Sequence, residues 1–145
     1  GHHVPPAFLQ MGIAPKGIAQ VMAVTDGTAG AGLPKGSRTR LGGQTITVGD
    51  VARLDDGTSA GSVATMDGVL RYLVGPCGLS LCDAAQICAT TPARELGLVG
   101  YGAIAPGATA DLVVLDPGLA VVQTWIAGVL AWCGTSIGPE SSPSS

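Results

Sequence analysis

One carboxylate in this chain stands where enzymes commonly do chemistry. Ala19 to Thr25 is a short, apolar, β-branched run that ends in Asp26-Gly27. Such a run is predicted to be a strand buried on both faces, as in a parallel sheet or barrel. A carboxylate just past its end would lie on the C-terminal face, where barrel enzymes gather their catalytic groups, and could act as a general acid or base. Ser59-Ala60-Gly61-Ser62 combines hydroxyls with small side chains, which suits close approach of the backbone to a polar ligand. Residue type alone leaves plainer readings open: Asp-Gly and Ser-Gly stretches are common turns, and His3 could be a structural histidine or a tag remnant.

Other chemistries are weakly represented. Gly27 and Gly32 have the spacing of a phosphate-binding loop, but Leu33 occupies the lysine position, so Gly27 to Gly36 reads as a mobile surface loop. The four cysteines form no C-x-x-C pair, and only His2 and His3 could join them, so they read as buried free thiols of a reducing cytosol and not as a zinc site. The formal charge of -3, with scattered Lys and Arg, argues against a nucleic-acid surface.

The 145 residues have the length of one ordinary domain, yet only 12% are charged while 46% are hydrophobic. So little polar material implies that apolar surface meets a missing domain, another subunit or a membrane. Pro117 to Pro139 carries no charge, but its nearly all-apolar run, Leu119 to Cys133, is too short for a span and is interrupted by Gln123, Thr124 and Gly128, so residues 121–126 and 129–132 read as two strands around Ala127-Gly128.

The elements that must position the candidates follow from periodicity. Pro5-Pro6 suits the first turn of a short helix. Gln44 to Val48 and Val51 to Leu54 are predicted strands, a hairpin inserted near residues 44–54. Met66, Val69, Leu70, Leu73 and Val74 recur at helical spacing over Thr65 to Val74. Ser80 is a candidate N-cap with Asp83 at the third position, followed by the stripe Leu81, Ala84, Ala85, Ile87 and Cys88. Thr91-Pro92 is expected to start a separate short helix, ended by Gly97. Past Gly100 the chain turns to β character, at Gly102 to Ile104, Asp111 to Leu115 and the Trp125 hairpin. The Ser- and Pro-rich tail, 134–145, is expected to be disordered.

The order of these signals resembles the final third of the N-acetylglucosamine-6-phosphate deacetylases, a family of metal-dependent amidohydrolases. The resemblance is carried by Gly1-His2-His3-Val4, Val24-Thr25-Asp26, and Gly57 to Ser62 leading into Thr65-Met66-Asp67. It continues through Thr90 to Arg94, Gly102 to Gly107, Ala110 to Asp116 and Thr124 to Gly128. The later motifs are shared widely among amidohydrolases; Val24-Thr25-Asp26 together with Gly57 to Ser62 narrows the match. Gly27 departs from the small Ala usual in the family.

The resemblance implies an α/β chain: the C-terminal fragment of a (β/α)8 hydrolase barrel over residues 1–99, plus part of a small β-sandwich over 100–133. It implies that Asp26 is the catalytic acid and base, that His3 holds the substrate, and that Ser59, Ala60, Gly61 and Ser62 contact the sugar phosphate. The complete enzyme would use a divalent metal, zinc or similar, whose glutamate and histidine ligands lie on earlier strands absent from this chain. The isolated chain is therefore expected to be inactive. Its partners would be an amino-sugar phosphate, the missing N-terminal barrel half and, in the complete cytoplasmic enzyme, further copies of itself, with neither nucleic acid nor membrane involved. Another amidohydrolase, of the dihydroorotase or imidazolonepropionase kind, and a non-catalytic interaction module are the alternatives.

Overall fold

A computed structural model describes residues 4–134. The chain divides into two compact units, 1–102 and 103–145. In the first, Pro6 opens helix α1 (Pro6–Lys16), where its missing N–H costs nothing. The chain turns at Gly17 into a single 3-10 turn, Ile18–Gln20.

Residues 21–25 then run on as a segment that forms no strand. This corrects the expectation for Ala19 to Thr25. The residue types suit a strand, but a strand exists only where a neighbour accepts its backbone bonds. Val21 and Ala23 point inward and pack beside a core of Ile13, Leu73, Cys77, Ala84 and Ile87. Met22 and Val24 point outward and are 51% and 67% exposed. One face of the run is buried, not two.

Four antiparallel strands follow in sequential order: β1 (Arg38–Leu41), β2 (Gln44–Val48), β3 (Ala52–Leu54) and β4 (Ser59–Gly61). The sheet therefore has four strands where a two-stranded hairpin was expected. Gly42 and Gly43, both at positive φ, make the two-residue turn whose twist matches the flanking strands. Ile46, Val48 and Ala52 are its buried residues. The loop ahead of β1 is anchored rather than free: Gly36 donates to the Val48 carbonyl at 2.8 Å, and Gly30 is buried where a Cβ would lie 2.9 Å from Val48 Cγ2.

Helix α2 (Met66–Val74) lies where the periodicity predicts it. The Thr65 hydroxyl holds the Asp67 carboxyl below its ordinary value; burial opposes it, and the Arg71 guanidinium one turn on adds to the lowering. Helix α3 (Leu81–Ala85) starts at Ser80, whose Oγ accepts the Asp83 N–H at 3.1 Å, as the capping pattern predicts. No new helix starts at Thr91. Helical backbone continues from α3 through a π segment, Gln86–Thr90, into α4 (Thr91–Glu95). Thr91 does not cap because it sits inside that run in right-handed conformation, 1% exposed. Of the cysteines, Cys77 is buried and Cys88 half-buried, and burial pushes both thiols up; Cys82 and Cys133 are exposed, contrary to expectation.

The second unit carries β5 (Leu112–Leu115), β6 (Val121–Ile126) and β7 (Val129–Cys133) in one antiparallel sheet. The β6–β7 turn is Ala127-Gly128, both at positive φ, with the Ala127 N–H donated to Asp111 Oδ1 at 2.7 Å. Residues 102–103 form a bend and 104 is irregular, where a strand was expected. No helix among the described residues is long and apolar enough to cross a membrane. The tail beyond Gly134 lies outside the described residues, as does His3.

Gly102, at φ 75°, is pressed against the helical run: a Cβ there would lie 2.8 Å from Ala93 Cβ and 2.9 Å from the Ala89 oxygen. Gly102→Ala is expected to destabilise the chain by about 2–4 kcal/mol, combining left-handed strain with overpacking, as read by denaturant unfolding. Asp67→Asn is expected to cost about 0.5 kcal/mol near neutral pH. Because the folded carboxyl is held low, its contribution is complete above the ordinary carboxylate range of about 4 and disappears as pH falls through the depressed value. Unfolding curves of Asp67→Asn and the native chain should therefore converge in acid.

Candidate functional site

Asp26 ends the extended run in left-handed backbone at φ 46°, with its side chain exposed. Such a conformation costs a non-glycine residue energy and persists only where surrounding structure holds it. The hold comes from the next two residues. Gly27 forms a parallel bridge with Ser62. Thr28 gives the Ser62 carbonyl two bonds, from its N–H at 2.8 Å and from its hydroxyl at 2.9 Å. Asp26 and the Ser59–Ser62 stretch, 33 or more residues apart in the chain, thereby come together.

The stretch itself differs from expectation. Ser59, Ala60 and Gly61 form strand β4, paired with β3, and are not a free loop. The reason is local: Asp55-Asp56-Gly57 reverses the chain, with Gly57 at φ 86° and the Thr58 N–H donated to Asp56 Oδ1 at 2.9 Å. The smallness of Gly61 is also accounted for inside the protein. Its φ is 121°, and a Cβ would lie 2.7 Å from Thr28 Cγ2. The Ser62 Oγ accepts the Ala64 N–H at 3.0 Å, turning the chain toward α2.

Asp26, Gly61 and Ser62 line one open cleft of ≈ 780 Å³. Ser59 and Ala60 are not among its lining residues, and His3 lies outside the described ones. Lys35, Asp50 and Thr65 also line the cleft and were not singled out from sequence. Lys35 Nζ donates to Asp50 Oδ1 across it. Lys35 lies in the glycine-rich loop, two residues past Leu33, and its pairing with Asp50 carries no signal in the motif spacing. Thr28 was also missed; a threonine two residues past a candidate carboxylate carries no sequence signal of its own. Among the described residues no three His, Cys, Asp or Glu side chains gather as a metal site, so this part of the chain does not supply a metal's ligand set around Asp26.

The arrangement offers the solvent-facing carboxylate of Asp26, held in a strained conformation at the edge of a cleft with hydroxyl-bearing walls. Residues 10–131 match the family model described as "Amidohydrolase family". The chain belongs to the amidohydrolase family. An Escherichia coli (strain K12) relative, provisionally named an N-acetylgalactosamine-6-phosphate deacetylase, is 36% identical over 132 residues, 90% of this chain and 78% of its own. The N-acetylglucosamine-6-phosphate deacetylase of Bos taurus is 37% identical over 137 residues, 91% of this chain and 32% of its own. A solved structure of a mutant Mycobacterium smegmatis N-acetyl-D-glucosamine-6-phosphate deacetylase, in complex with N-acetyl-D-glucosamine-6-phosphate, matches with a TM-score of 0.78. That match is 40% identical and covers 88% of this chain and 35% of the other. The fold is accordingly the α/β fold of these amidohydrolases, of which this chain spans about a third in the longer relatives.

The close fit of Gly61 against Thr28 is testable. Gly61→Ala should cost about 2–4 kcal/mol in unfolding free energy, from strained backbone and the contact with the threonine methyl. Thr28→Ser removes that methyl and keeps the hydroxyl. In the double variant about 1 kcal/mol of the loss should be recovered, a coupling measured by a double-mutant cycle.

Proposed function

We propose that this chain is the C-terminal part of a (β/α)8-barrel enzyme that hydrolyses N-acetylglucosamine 6-phosphate to glucosamine 6-phosphate and acetate. The observation that carries the reading is Asp26, exposed at the cleft and bridged through Gly27 and Thr28 to Ser62. Water adds to the acetamide carbonyl, and Asp26 takes the proton that the water gives up. It returns that proton to the nitrogen as the C–N bond breaks, since an unprotonated amine leaves poorly. Amidohydrolases are generally metal-dependent, and the metal supplies activation of the water. Its ligands belong to the preceding barrel strands. His3 is assigned to holding the substrate, and Ser59 to Ser62 to the wall beside the sugar phosphate, with Ser62 and Gly61 nearest the cleft.

In this reading residues 21–25 become a barrel strand once neighbouring strands accept their backbone groups. The outward side chains Met22 and Val24 then fill the barrel, and residues 112–133 join a small β-sandwich. Exposed Phe8, Met11, Ile126, Val129 and Trp132 fit covering by the rest of a cytoplasmic, homo-oligomeric enzyme. The isolated 145-residue chain is without turnover. The name of the Escherichia coli relative favours N-acetylgalactosamine 6-phosphate as a second substrate reading; kcat/KM for the two sugar phosphates separates them.

Asp26→Asn in the complete enzyme is expected to lower kcat by about 10²–10⁴, because the amide keeps the size and cannot carry the proton. Acetate release within a few-fold of the native rate would overturn the assignment. The 145-residue chain alone, supplied with zinc, should release no acetate above background.

A further inference from the structure

Between residues 21 and 26, one backbone bond reaches past the adjoining 3-10 turn to a distant element among the described residues: Ala23 donates its N–H to the Ile87 carbonyl at 3.0 Å. A carbonyl in mid-helix is ordinarily taken by the N–H four residues on, or five in a π segment. Neither serves Ile87. The Thr91 N–H, four residues on, donates to Gln86. Residue 92, five on, is proline and has no N–H to give. An orphaned helix carbonyl needs an outside partner, and Ala23 is that partner. A second bond comes from the same run, where Arg94 Nη2 donates to the Ala19 carbonyl. The two bonds hold the segment at Ala23 and Ala19, three and seven residues before Asp26.

We propose that Pro92 and Arg94 are positioning residues for Asp26. Pro92 leaves the Ile87 carbonyl vacant for Ala23, Arg94 clamps Ala19, and together they set where the extended run delivers its terminal carboxylate. The inference rests on reading Asp26 as the proton carrier. It assigns a purpose to the irregularity at residues 86–90, which otherwise weakens a helix without return. Asp26 needs such a hold, because its left-handed backbone is relaxed readily if the preceding residues shift. Proton transfer is sensitive to the misplacement: about 1 Å can cost about 10²-fold in rate.

Pro92→Ala restores an N–H at position 92 that competes for the Ile87 carbonyl. Amide hydrogen exchange on the 145-residue chain should show Ala23 losing protection by about tenfold or more, while the α2 amides keep theirs. Unchanged protection at Ala23 in a folded Pro92→Ala chain would overturn the tether. Should that variant not fold, Arg94→Met, at a half-exposed side chain, serves in its place, with faster exchange at Val21 and Ala23 expected and unchanged exchange overturning the clamp. In the complete enzyme both variants should lower kcat about 10–100-fold with KM within about twofold. A native kcat, or a change confined to KM, would overturn the positioning role. Asp26→Asn run alongside separates the two readings: full activity there removes Asp26 as proton carrier, whereas the exchange at Ala23 tests the tether independently.

Discussion

The Ser62 carbonyl oxygen, accepting both the N–H and the hydroxyl of Thr28, is the junction on which the site depends. Through it the end of the extended run is fixed to the end of the four-stranded sheet, and Asp26 is brought to the cleft. The junction imposes its own demands. Gly61 must be small and at positive φ to admit the Thr28 methyl, and Gly30 must be small to admit Val48. A buried or half-buried carbonyl with two donors is well satisfied, and each bond contributes about 1 kcal/mol net. The larger effect is geometric: with both donors on one residue, Thr28 has little freedom to rotate and Asp26, two residues earlier, has little freedom to wander.

On its other side the same run is held by helices. Val21 and Ala23 pack beside Ile13, Leu73 and Ile87, while Met22 and Val24 are left facing outward. Burying a side chain of this size stabilises by about 1.5–3 kcal/mol relative to exposure. Two such side chains left outside on an unpaired segment are a standing cost, and a low supply of charge gives little to offset it. This is the structural counterpart of the composition, in which hydrophobic residues make up 46% and charged residues 12% of the chain. It also explains why extended residues with strand-forming side chains are not a strand here: the partners that would accept their backbone groups are not among the described residues.

The chain's own sequence determined the elements whose causes are local. The apolar spacing from Met66 to Val74 made a helix, Ser80 and Asp83 made its successor's cap, and Ala127-Gly128 made the two-residue turn between β6 and β7, because each needs only neighbours a few positions away. The order of short motifs, from Val24-Thr25-Asp26 to Thr124 through Gly128, was enough to place the chain among the amidohydrolases. Tertiary structure decided what depends on distant partners. It withheld a strand from residues 21–25, converted Ser59 to Gly61 from loop to strand, ran the helix through Thr91, and put Lys35 and Asp50 on the walls of the cleft that Asp26 lines. Periodicity reports which face of a segment is apolar, but pairing, burial of a particular hydroxyl and the company a carboxylate keeps are set by residues tens of positions away. A backbone group bonds to whatever the fold brings within about 3 Å of it, and that is a property of the packed chain and not of the segment.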